Sequence, residues 1–326
     1  MTTSRERQAA DTVVLVRPVA FHGNPETAAS NAFQRPPEVA DPAAEQAAAA
    51  IEFDGLAAAL AGAGVGTVVV RDCAEPATPD AVFPNNWLSL HADGTAVLYP
   101  MMAPSRRAER RRDVLELLSR EHGFRVERVL DLSAHEREGR FLEGTGSMVL
   151  DRANRVAYAC LSPRTDAGVL AEAARLLDYE PLAFVAADEA GVPVYHTNVM
   201  MCVGSDFALV CEEAISDAGQ RAAVRRRLEQ GGHEVVALDF AQMRSFAGNM
   251  LELAGADGAR VLALSARALE SLRPGQLRTL ESRCRLLPVP VATIEDGGGG
   301  SVRCMLAEVH LPRRGRGRAP FAHTMQ

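Results

Sequence analysis

A recurring unit of hairpin, helix and strand constrains the fold of this chain more than any other feature of its sequence. The pattern of residues 86–101 predicts two strands joined by a turn at Asp93-Gly94, followed by a helix over 106–122 and a strand over 126–132. Comparable hairpins begin near residues 147, 199 and 250, and each is followed by a helix and a strand. Four such modules indicate a repeat architecture.

The segments left over at the two ends supply a fifth module. They are a strand at 302–311, a strand at 12–21, the Ala-rich helix 42–63 and a strand at 65–72. Pairing of the terminal strands would close a ring and remove exposed sheet edges. We therefore predict an α/β fold, a five-module α/β propeller closed by pairing of its N- and C-terminal strands. An open α/β sheet in two domains is the alternative.

The module boundaries place residues 11–312 in a single catalytic domain, with residues 1–10 and 313–326 as flexible tails. The formal charge of −7 argues against a nucleic-acid or anionic-membrane partner. The Arg-rich run 106–112 carries interleaved acids on a predicted helix and is interpreted as a solvated face. Without a long apolar stretch or a signal peptide, the sequence predicts a cytoplasmic protein and leaves a homo-oligomer open.

The cysteines argue against a disulfide framework or a structural zinc site. Six of them are spread through the chain without a Cys-x-x-Cys pair. His196 has no second His or Cys at ligand spacing, so we also expect no metal site. The question that remains is whether one of the six thiols is reactive.

Polar residues stand at the start of each module, where a ring would bring them to one end of its axis. Cys304 follows a run of four glycines, which favours a reactive thiol over a buried small hydrophobe. His196 suits proton transfer, and Glu143 lies among small residues that would let it reach His196. The pattern predicts Cys304 as nucleophile, paired as thiolate with an imidazolium, His196 as general acid/base and Glu143 as supporting carboxylate. The whole set is Asn85, Asn86, Glu143, His196, Asn198, Asn249 and Cys304.

Five motifs together resemble the amidinotransferase/pentein superfamily over about residues 13–311. The likeness is greatest to bacterial citrulline-utilization hydrolases, and it extends to dimethylarginine hydrolases and arginine deiminases. The resemblance implies a five-fold propeller, covalent thiol catalysis without a cofactor, and an amino-acid substrate. The motifs are FPNNW (83–87), FLEGTGSM (141–148), YHTNV (195–199), FAGNM (246–250) and GGGSVRCM (298–305).

The resemblance also implies roles for residues outside the catalytic triplet. Asp80 matches an acidic substrate contact. Arg107 and Arg164 match arginines that clamp a substrate α-carboxylate, a task suited to a guanidinium fork. Asn249 belongs to the same set of substrate contacts.

Departures from the family pattern bear on the substrate. Arginine-type members carry acids where this chain has Asn85 and Asn86, and arginine deiminases carry Asp where it has Asn198. A buried guanidinium needs paired carboxylates, whereas a neutral ureido group is matched by amides. The sequence therefore favours hydrolysis of citrulline to ornithine through a covalent thiol intermediate. Arginine or dimethylarginine hydrolase, deiminase, amidinotransferase and a non-enzymatic binding propeller are the alternatives.

Overall fold

The computed structural model describes residues 6–35 and 41–314. Within this part of the chain, short strands recur at regular intervals. The strands are β1 (Thr12–Arg17), β2 (Gly66–Arg71), β3 (Leu88–Leu90), β4 (Thr95–Leu98), β5 (Arg128–Asp131), β6 (Val149–Asp151), β7 (Val156–Cys160), β8 (Glu180–Phe184), β9 (Met201–Val203), β10 (Phe207–Val210), β11 (Glu234–Ala237), β12 (Leu251–Ala254), β13 (Arg260–Ser265), β14 (Arg285–Val289) and β15 (Ala307–Glu308).

These strands form five three-stranded sheets of one design. The orders are β15-β1-β2, β3-β4-β5, β6-β7-β8, β9-β10-β11 and β12-β13-β14. In every sheet the middle strand pairs antiparallel with one neighbour and parallel with the other. The predicted five-module α/β propeller is confirmed.

The ring is closed by strands from opposite ends of the sequence. Strand β15 pairs antiparallel with β1, in the register Val13 to Glu308 and Val14 to Ala307. The strand predicted over 302–311 is much shorter than expected, because residues 302–305 form a 3-10 turn before β15 begins. Cys304 lies on that turn.

Helices connect the strands and begin at recognisable caps. The side chains of Asp41, Asp166 and Asp217 each accept backbone N–H bonds from the first turn of the helix that follows them. The α-helices are Pro25–Ala28, Pro42–Gly62, Pro104–Arg107, Asp113–Arg120, Gly144–Ser147, Ala167–Leu177, Thr197–Met200, Ala218–Gln230, Phe240–Arg244, Ala266–Ser271, Pro274–Glu281 and Ala292–Gly298, and the 3-10 helices are Pro84–Asn86, Ser133–Glu138, Glu212–Ala214, Ala256–Gly258 and Val302–Met305.

The prediction of a single helix over 106–122 is wrong, because this segment forms two helices. The segment forms Pro104–Arg107 and, after a break, Asp113–Arg120. The second helix buries Val114, Leu115 and Leu118 at helical spacing. The first helix is a separate short turn, so its side chains do not share the solvated face that the sequence suggested.

Four modules begin with a buried one-turn helix, and these helices lie close together. Residues 84–86, 144–147, 197–200 and 302–305 each form such a turn, and the first contacts the second and the fourth. All the side chains in these turns are buried. The convergence of module starts at one end of the axis follows from this packing.

The segment just before β1 contacts the propeller. The Gln8 side chain donates to the carbonyls of Leu150 (2.9 Å) and Val203 (3.0 Å), and Ala10 bridges to Leu253. The tail predicted over 1–10 therefore has a packed portion at 6–10. In the tail predicted over 313–326, Arg313 bridges to Phe124 and the backbone N–H of Arg314 donates to the carbonyl of Gly123 at 2.7 Å. Residues 1–5 and 315–326 lie outside the described residues.

No helix within the described ranges is long and apolar enough to cross a membrane.

Candidate active site

A small pocket opens where the module starts converge. Five of the residues predicted from the sequence line it: Asp80, Asn86, Arg164, His196 and Cys304. The remaining lining residues are Thr27, Asn31, Phe83, Arg106, Tyr195, Gly298 and Gly300.

Glu143 and His196 form a buried pair beside this pocket. The Nε2 atom of His196 lies 2.8 Å from Oε2 of Glu143, and Oε1 accepts the backbone N–H of Met102. Burial alone would raise the pKa of Glu143, but the charge of Arg164, the bond to His196 and the charge of Arg106 together hold it well below its usual range. The carboxylate is therefore ionised and orients the imidazole.

Burial has the opposite consequence for the imidazole. It lowers the pKa of His196 to about 4, although the hydrogen bond and charge of Glu143 act to raise it. His196 is thus neutral near pH 7. Because Nε2 donates to an ionised carboxylate, Nδ1 is the nitrogen that carries the free lone pair.

Cys304 receives two amide donors. Its Sγ atom lies 3.2 Å from Nδ2 of Asn249 and 3.5 Å from Nδ2 of Asn198. Burial raises the pKa of the thiol, against the lowering effect of its hydrogen bonds and of Arg303. Both effects disfavour the charged forms, whereas the sequence predicts a thiolate–imidazolium pair: desolvation opposes the expected stabilisation of the two charges.

Asp80 and Asn86 each present one unsatisfied polar atom. Oδ2 of Asp80 accepts from Asn24 (2.8 Å), and Oδ1 of Asn86 accepts from Arg106 (2.9 Å). Oδ1 of Asp80 and Nδ2 of Asn86 are buried without a hydrogen-bond partner among the described residues. Buried polar groups need partners, so the pocket offers one acceptor and one donor to a ligand.

Arg106 is a site residue that the sequence reading missed. It is buried, donates through Nε and Nη2 to Glu109 at 2.9 Å each, and lies 3.7 Å from Asp80 and 3.8 Å from Glu143. Its placement corrects the reading of residues 106–112 as a solvated face. The signal in the sequence was Pro104, which starts a short helix separate from the one after it.

The two arginines predicted to clamp a carboxylate lie in different places. Arg107 is not brought into the pocket; it bonds to the carbonyls of Met101 and Met102 and pairs with Glu136 at 3.4 Å. Arg164 does line the pocket, where it lies 3.5 Å from Glu143. Arg164 is therefore the member of the pair that is positioned to act on a substrate.

The remaining predicted amides lie near Cys304. Asn249 also donates to the carbonyl of Asn198 at 2.9 Å, so the two amides that contact Cys304 hold each other. Asn85 is fully buried and lies in the turn that packs against that of Cys304, with both side-chain polar atoms unpartnered among the described residues. Asn198 and Asn249 thus contact the sulfur of Cys304, and none of the three amides lines the pocket.

A segment between β1 and the second helix covers the pocket. Asn24 bonds to Asp80, Arg164 donates to the carbonyl of Thr27 and to Oγ of Ser30, and Asn31 donates to the carbonyl of Gly298. The sequence reading missed this segment, since none of its residues belongs to a module start. Its contacts leave the reactive side chains almost without solvent exposure.

Gly146 marks the closest approach of backbone to the site. A Cβ atom there would lie 2.7 Å from Nδ1 of His196 and 2.4 Å from Nδ2 of Asn86. Only glycine leaves both side chains where they are.

No group of three or more His, Cys, Asp or Glu suited to hold a metal ion occurs among residues 6–35 and 41–314.

Comparison with known proteins places this chain in a family. The family model described as N,N dimethylarginine dimethylhydrolase, eukaryotic, matches residues 17–311. The chain belongs to this family of hydrolases, and so to the amidinotransferase/pentein superfamily that its motifs indicated. A search of curated proteins gave no match.

Solved structures agree with the fold. The arginine dihydrolase ArgZ from the ornithine-ammonia cycle in Cyanobacteria superposes with a TM-score of 0.70 at 18% identity, covering 93% of this chain and 41% of ArgZ. The N-terminal domain of ArgZ, solved with its substrate, is covered to 97%, with 91% of this chain. A dimethylarginine dimethylaminohydrolase gives a TM-score of 0.59 at 14% identity, with 92% and 99% coverage. This chain thus corresponds to less than half of full-length ArgZ.

Proposed function

We propose that this protein hydrolyses the ureido carbon–nitrogen bond of citrulline through a covalent intermediate on Cys304, giving ornithine, ammonia and carbon dioxide. The observation that carries the proposal is the amide of Asn86, which lines the pocket and whose donor Nδ2 is buried without a hydrogen-bond partner among the described residues. A neutral group with an acceptor oxygen would satisfy this donor.

The unsatisfied atoms of the pocket support the same substrate. A ureido group has an oxygen that accepts and nitrogens that donate. The oxygen would complement Nδ2 of Asn86, and an N–H would complement Oδ1 of Asp80. A guanidinium has donors alone and would leave the amide donor of Asn86 without a partner.

The first half-reaction forms a thioester. Sγ of Cys304 attacks the ureido carbon, and the thiol proton passes to Nδ1 of His196. Donation from Asn249 and Asn198 stabilises the sulfur as it becomes anionic. His196 then protonates the nitrogen that becomes the ornithine side-chain amine, the carbon–nitrogen bond breaks, and a carbamoyl group remains on Cys304.

The second half-reaction restores the enzyme. His196 takes a proton from water, whose oxygen adds to the carbamoyl carbon. The sulfur–carbon bond breaks, the proton returns to Cys304, and carbamic acid leaves and splits into ammonia and carbon dioxide. Ionised Glu143 stabilises the imidazolium that forms in each half-reaction, as a buried carboxylate beside a catalytic histidine does.

Arginine or a methylated arginine is the second candidate substrate. The family match favours it, and so does the presence of two carboxylates in the site. Attack of Cys304 on the guanidino carbon, with loss of a terminal nitrogen instead of the side-chain nitrogen, would then release ammonia or a methylamine and leave citrulline after hydrolysis. The two candidates differ in the charge of the group that enters the pocket.

A panel of ureido and guanidino compounds tests the proposal. We expect purified protein to release ornithine and ammonia from citrulline, with a higher kcat/KM than on arginine or dimethylarginine. Cys304→Ala should lower turnover at least about 1000-fold, whereas replacement of the exposed Cys73 by Ala should leave it unchanged. Release from arginine compounds without release from citrulline would establish the second candidate, and full turnover by Cys304→Ala would refute the thiol mechanism.

A further inference from the structure

We propose that Ser301, Glu295 and Arg267 are positioning residues that hold the glycine run before Cys304 in place and so fix the thiol for attack. None of the three lines the pocket, so they act through the glycine run and through the turn that carries Cys304. The inference rests on the proposed function only in taking Cys304 as the nucleophile. It does not depend on which substrate the pocket accepts.

The glycine run is the part of the site whose backbone is least restricted by its own residues. Four consecutive glycines occupy 297–300, and Gly299 has a positive φ of 64°. Gly298 and Gly300 line the pocket, and a Cβ atom on Gly300 would lie 3.4 Å from Cβ of Cys304. Glycine loses more conformational freedom on folding than any other residue, so bonds from outside the run are needed to keep it in one conformation.

A hydrogen bond joins the two sides of this run. Oγ of Ser301, the residue directly after the run, donates to Oε1 of Glu295 at 2.6 Å, and both side chains are buried. The carbonyl of Ser301 in turn accepts the backbone N–H of Cys304 at 2.9 Å. Ser301 therefore connects a buried carboxylate to the turn that carries the thiol, and a hydrogen bond to a carboxylate is among the stronger ones in proteins.

Arg267 holds the carboxylate of Glu295 in its orientation. Its Nε lies 3.1 Å from Oε2 of Glu295, while Nη1 and Nη2 donate to Asp296 at 2.8 Å and 3.0 Å. Burial raises the pKa of Glu295, against the lowering effect of its bond to Ser301 and of the charge of Arg267. Each oxygen of Glu295 has its own partner, so the carboxylate loses an ion pair if it turns away from Ser301.

The position of the sulfur leaves little room for movement of this turn. Sγ of Cys304 lies 3.2 Å from Nδ2 of Asn249 and 3.5 Å from Nδ2 of Asn198, so a displacement of about 1 Å would break both contacts. A reacting group misplaced by about 1 Å can lose about 100-fold in rate. Loss of the Ser301 hydroxyl should therefore lower kcat, whereas the pocket side chains that would bind the substrate stay in place.

Substitutions at Ser301 test the inference on whichever compound of the ureido and guanidino panel is turned over. Ser301→Ala should lower kcat at least about tenfold and leave KM within about threefold of wild type. Ser301→Thr keeps a hydroxyl and should retain most of the activity. Ser301→Val has the shape of threonine without the hydroxyl and should lose as much as Ser301→Ala. Wild-type kcat in folded Ser301→Ala, or equal kcat in the folded Thr and Val variants, overturns the inference.

Alkylation by iodoacetamide gives a readout that does not require turnover. In Ser301→Ala the glycine run shields Cys304 less, so Cys304 should be labelled about tenfold faster than in wild type although kcat is lower. Cys211 and Cys284 are also buried, in other modules, and should react at their wild-type rates. Faster labelling of all three thiols in step would mean general unfolding and would overturn the inference.

Ser205→Ala is the matched control, because the chain contains a second network of the same composition. Oγ of Ser205 donates to Oε1 of Glu252 at 2.8 Å, and Nε of Arg260 donates to the same oxygen at 2.8 Å. These residues lie outside the pocket lining, and Ser205 does not adjoin the turn of Cys304. Ser205→Ala should lower Tm without a change in kcat. A loss of kcat as large as that of Ser301→Ala would overturn the inference.

Cys304→Ala separates this inference from the proposed function. Full turnover by Cys304→Ala refutes the thiol mechanism, and the positioning role falls with it. If Cys304→Ala is inactive while folded Ser301→Ala keeps the wild-type kcat, the proposed function stands and the positioning role of Ser301 alone is refuted.

Discussion

Nε2 of His196 lies 2.8 Å from Oε2 of Glu143, and both side chains are buried. The pKa of Glu143 is held well below its usual range, so this bond is donated by the imidazole to a carboxylate. The pair fixes the tautomer of His196 before any substrate arrives. Proton transfer then depends on Nδ1, the atom against which Gly146 packs.

The low pKa of His196 has a consequence for stability. Folding lowers this pKa from the ordinary 6.5 to about 4. Below about pH 6.5 the unfolded chain binds a proton that the folded protein does not, so this residue makes stability fall as the pH falls toward 4. His196→Asn should remove about 2 kcal/mol of the stability difference between about pH 7 and pH 5. Urea unfolding at the two pH values measures it, and equal differences in both proteins would contradict the prediction.

Asn86→Asp isolates the donor that faces the ligand. The substitution keeps the shape and the oxygen that Arg106 holds, but it replaces Nδ2 with a second oxygen. We expect kcat/KM on citrulline to fall about 100-fold, because the ureido oxygen then meets an acceptor. The loss on arginine should be much smaller. Equal losses on both substrates would show that Asn86 does not discriminate between them.

Gly146→Ala tests the close packing against His196. The added methyl group would collide with His196 and Asn86, so kcat should fall at least about tenfold and stability by about 1–3 kcal/mol. Gly55→Ala is its control, since the same methyl group on the helix Pro42–Gly62 meets no atom within 4 Å. That variant should gain about 0.5–1 kcal/mol from helix propensity without a change in kcat. An unchanged kcat in Gly146→Ala would contradict the packing argument.

The order in which the thiols react with iodoacetamide should follow their solvent exposure. Cys73 is exposed, whereas Cys304 is buried and its pKa is raised. We expect Cys73 to be alkylated first in the free protein, with Cys304 following slowly and faster as the pH rises, because the thiolate is the reactive form. Peptide mass spectrometry over time gives the order. Preferential labelling of Cys304 at neutral pH would mean that the thiol is already ionised.

The fold could be predicted because its information is local and repeated. A hairpin such as β3-β4 is recognisable within about a dozen residues, and four such patterns, together with the strands left over at the two ends, predict a ring. The ring then explains why Glu143, His196 and Cys304 meet, since equivalent positions of equivalent modules share one end of the axis. The roles predicted for these three residues came from the resemblance of the motifs to a known family, because periodicity carries no information about chemistry.

The parts that could not be predicted depend on burial and on breaks within elements. In the sequence, Arg106 cannot be told apart from the other arginines of residues 106–112. It lies in the pocket because the first helix ends at Arg107. The protonation of Cys304 depends on how completely its thiol is desolvated, and the residues next to it in the sequence do not indicate this. The covering segment around Thr27 and Ser30 forms its contacts with Arg164, more than 100 positions away.

Closure of the ring joins folding to activity. The turn that carries Cys304 leads within two residues into β15, whose only backbone ladder among the described residues is with β1 near the other end of the sequence. The proposed nucleophile is therefore anchored by the same strand that closes the ring. If strands β1 and β15 separate, the other four sheets remain but the sulfur of Cys304 loses its fixed position. Turnover is therefore a more sensitive measure of ring closure than secondary-structure content is.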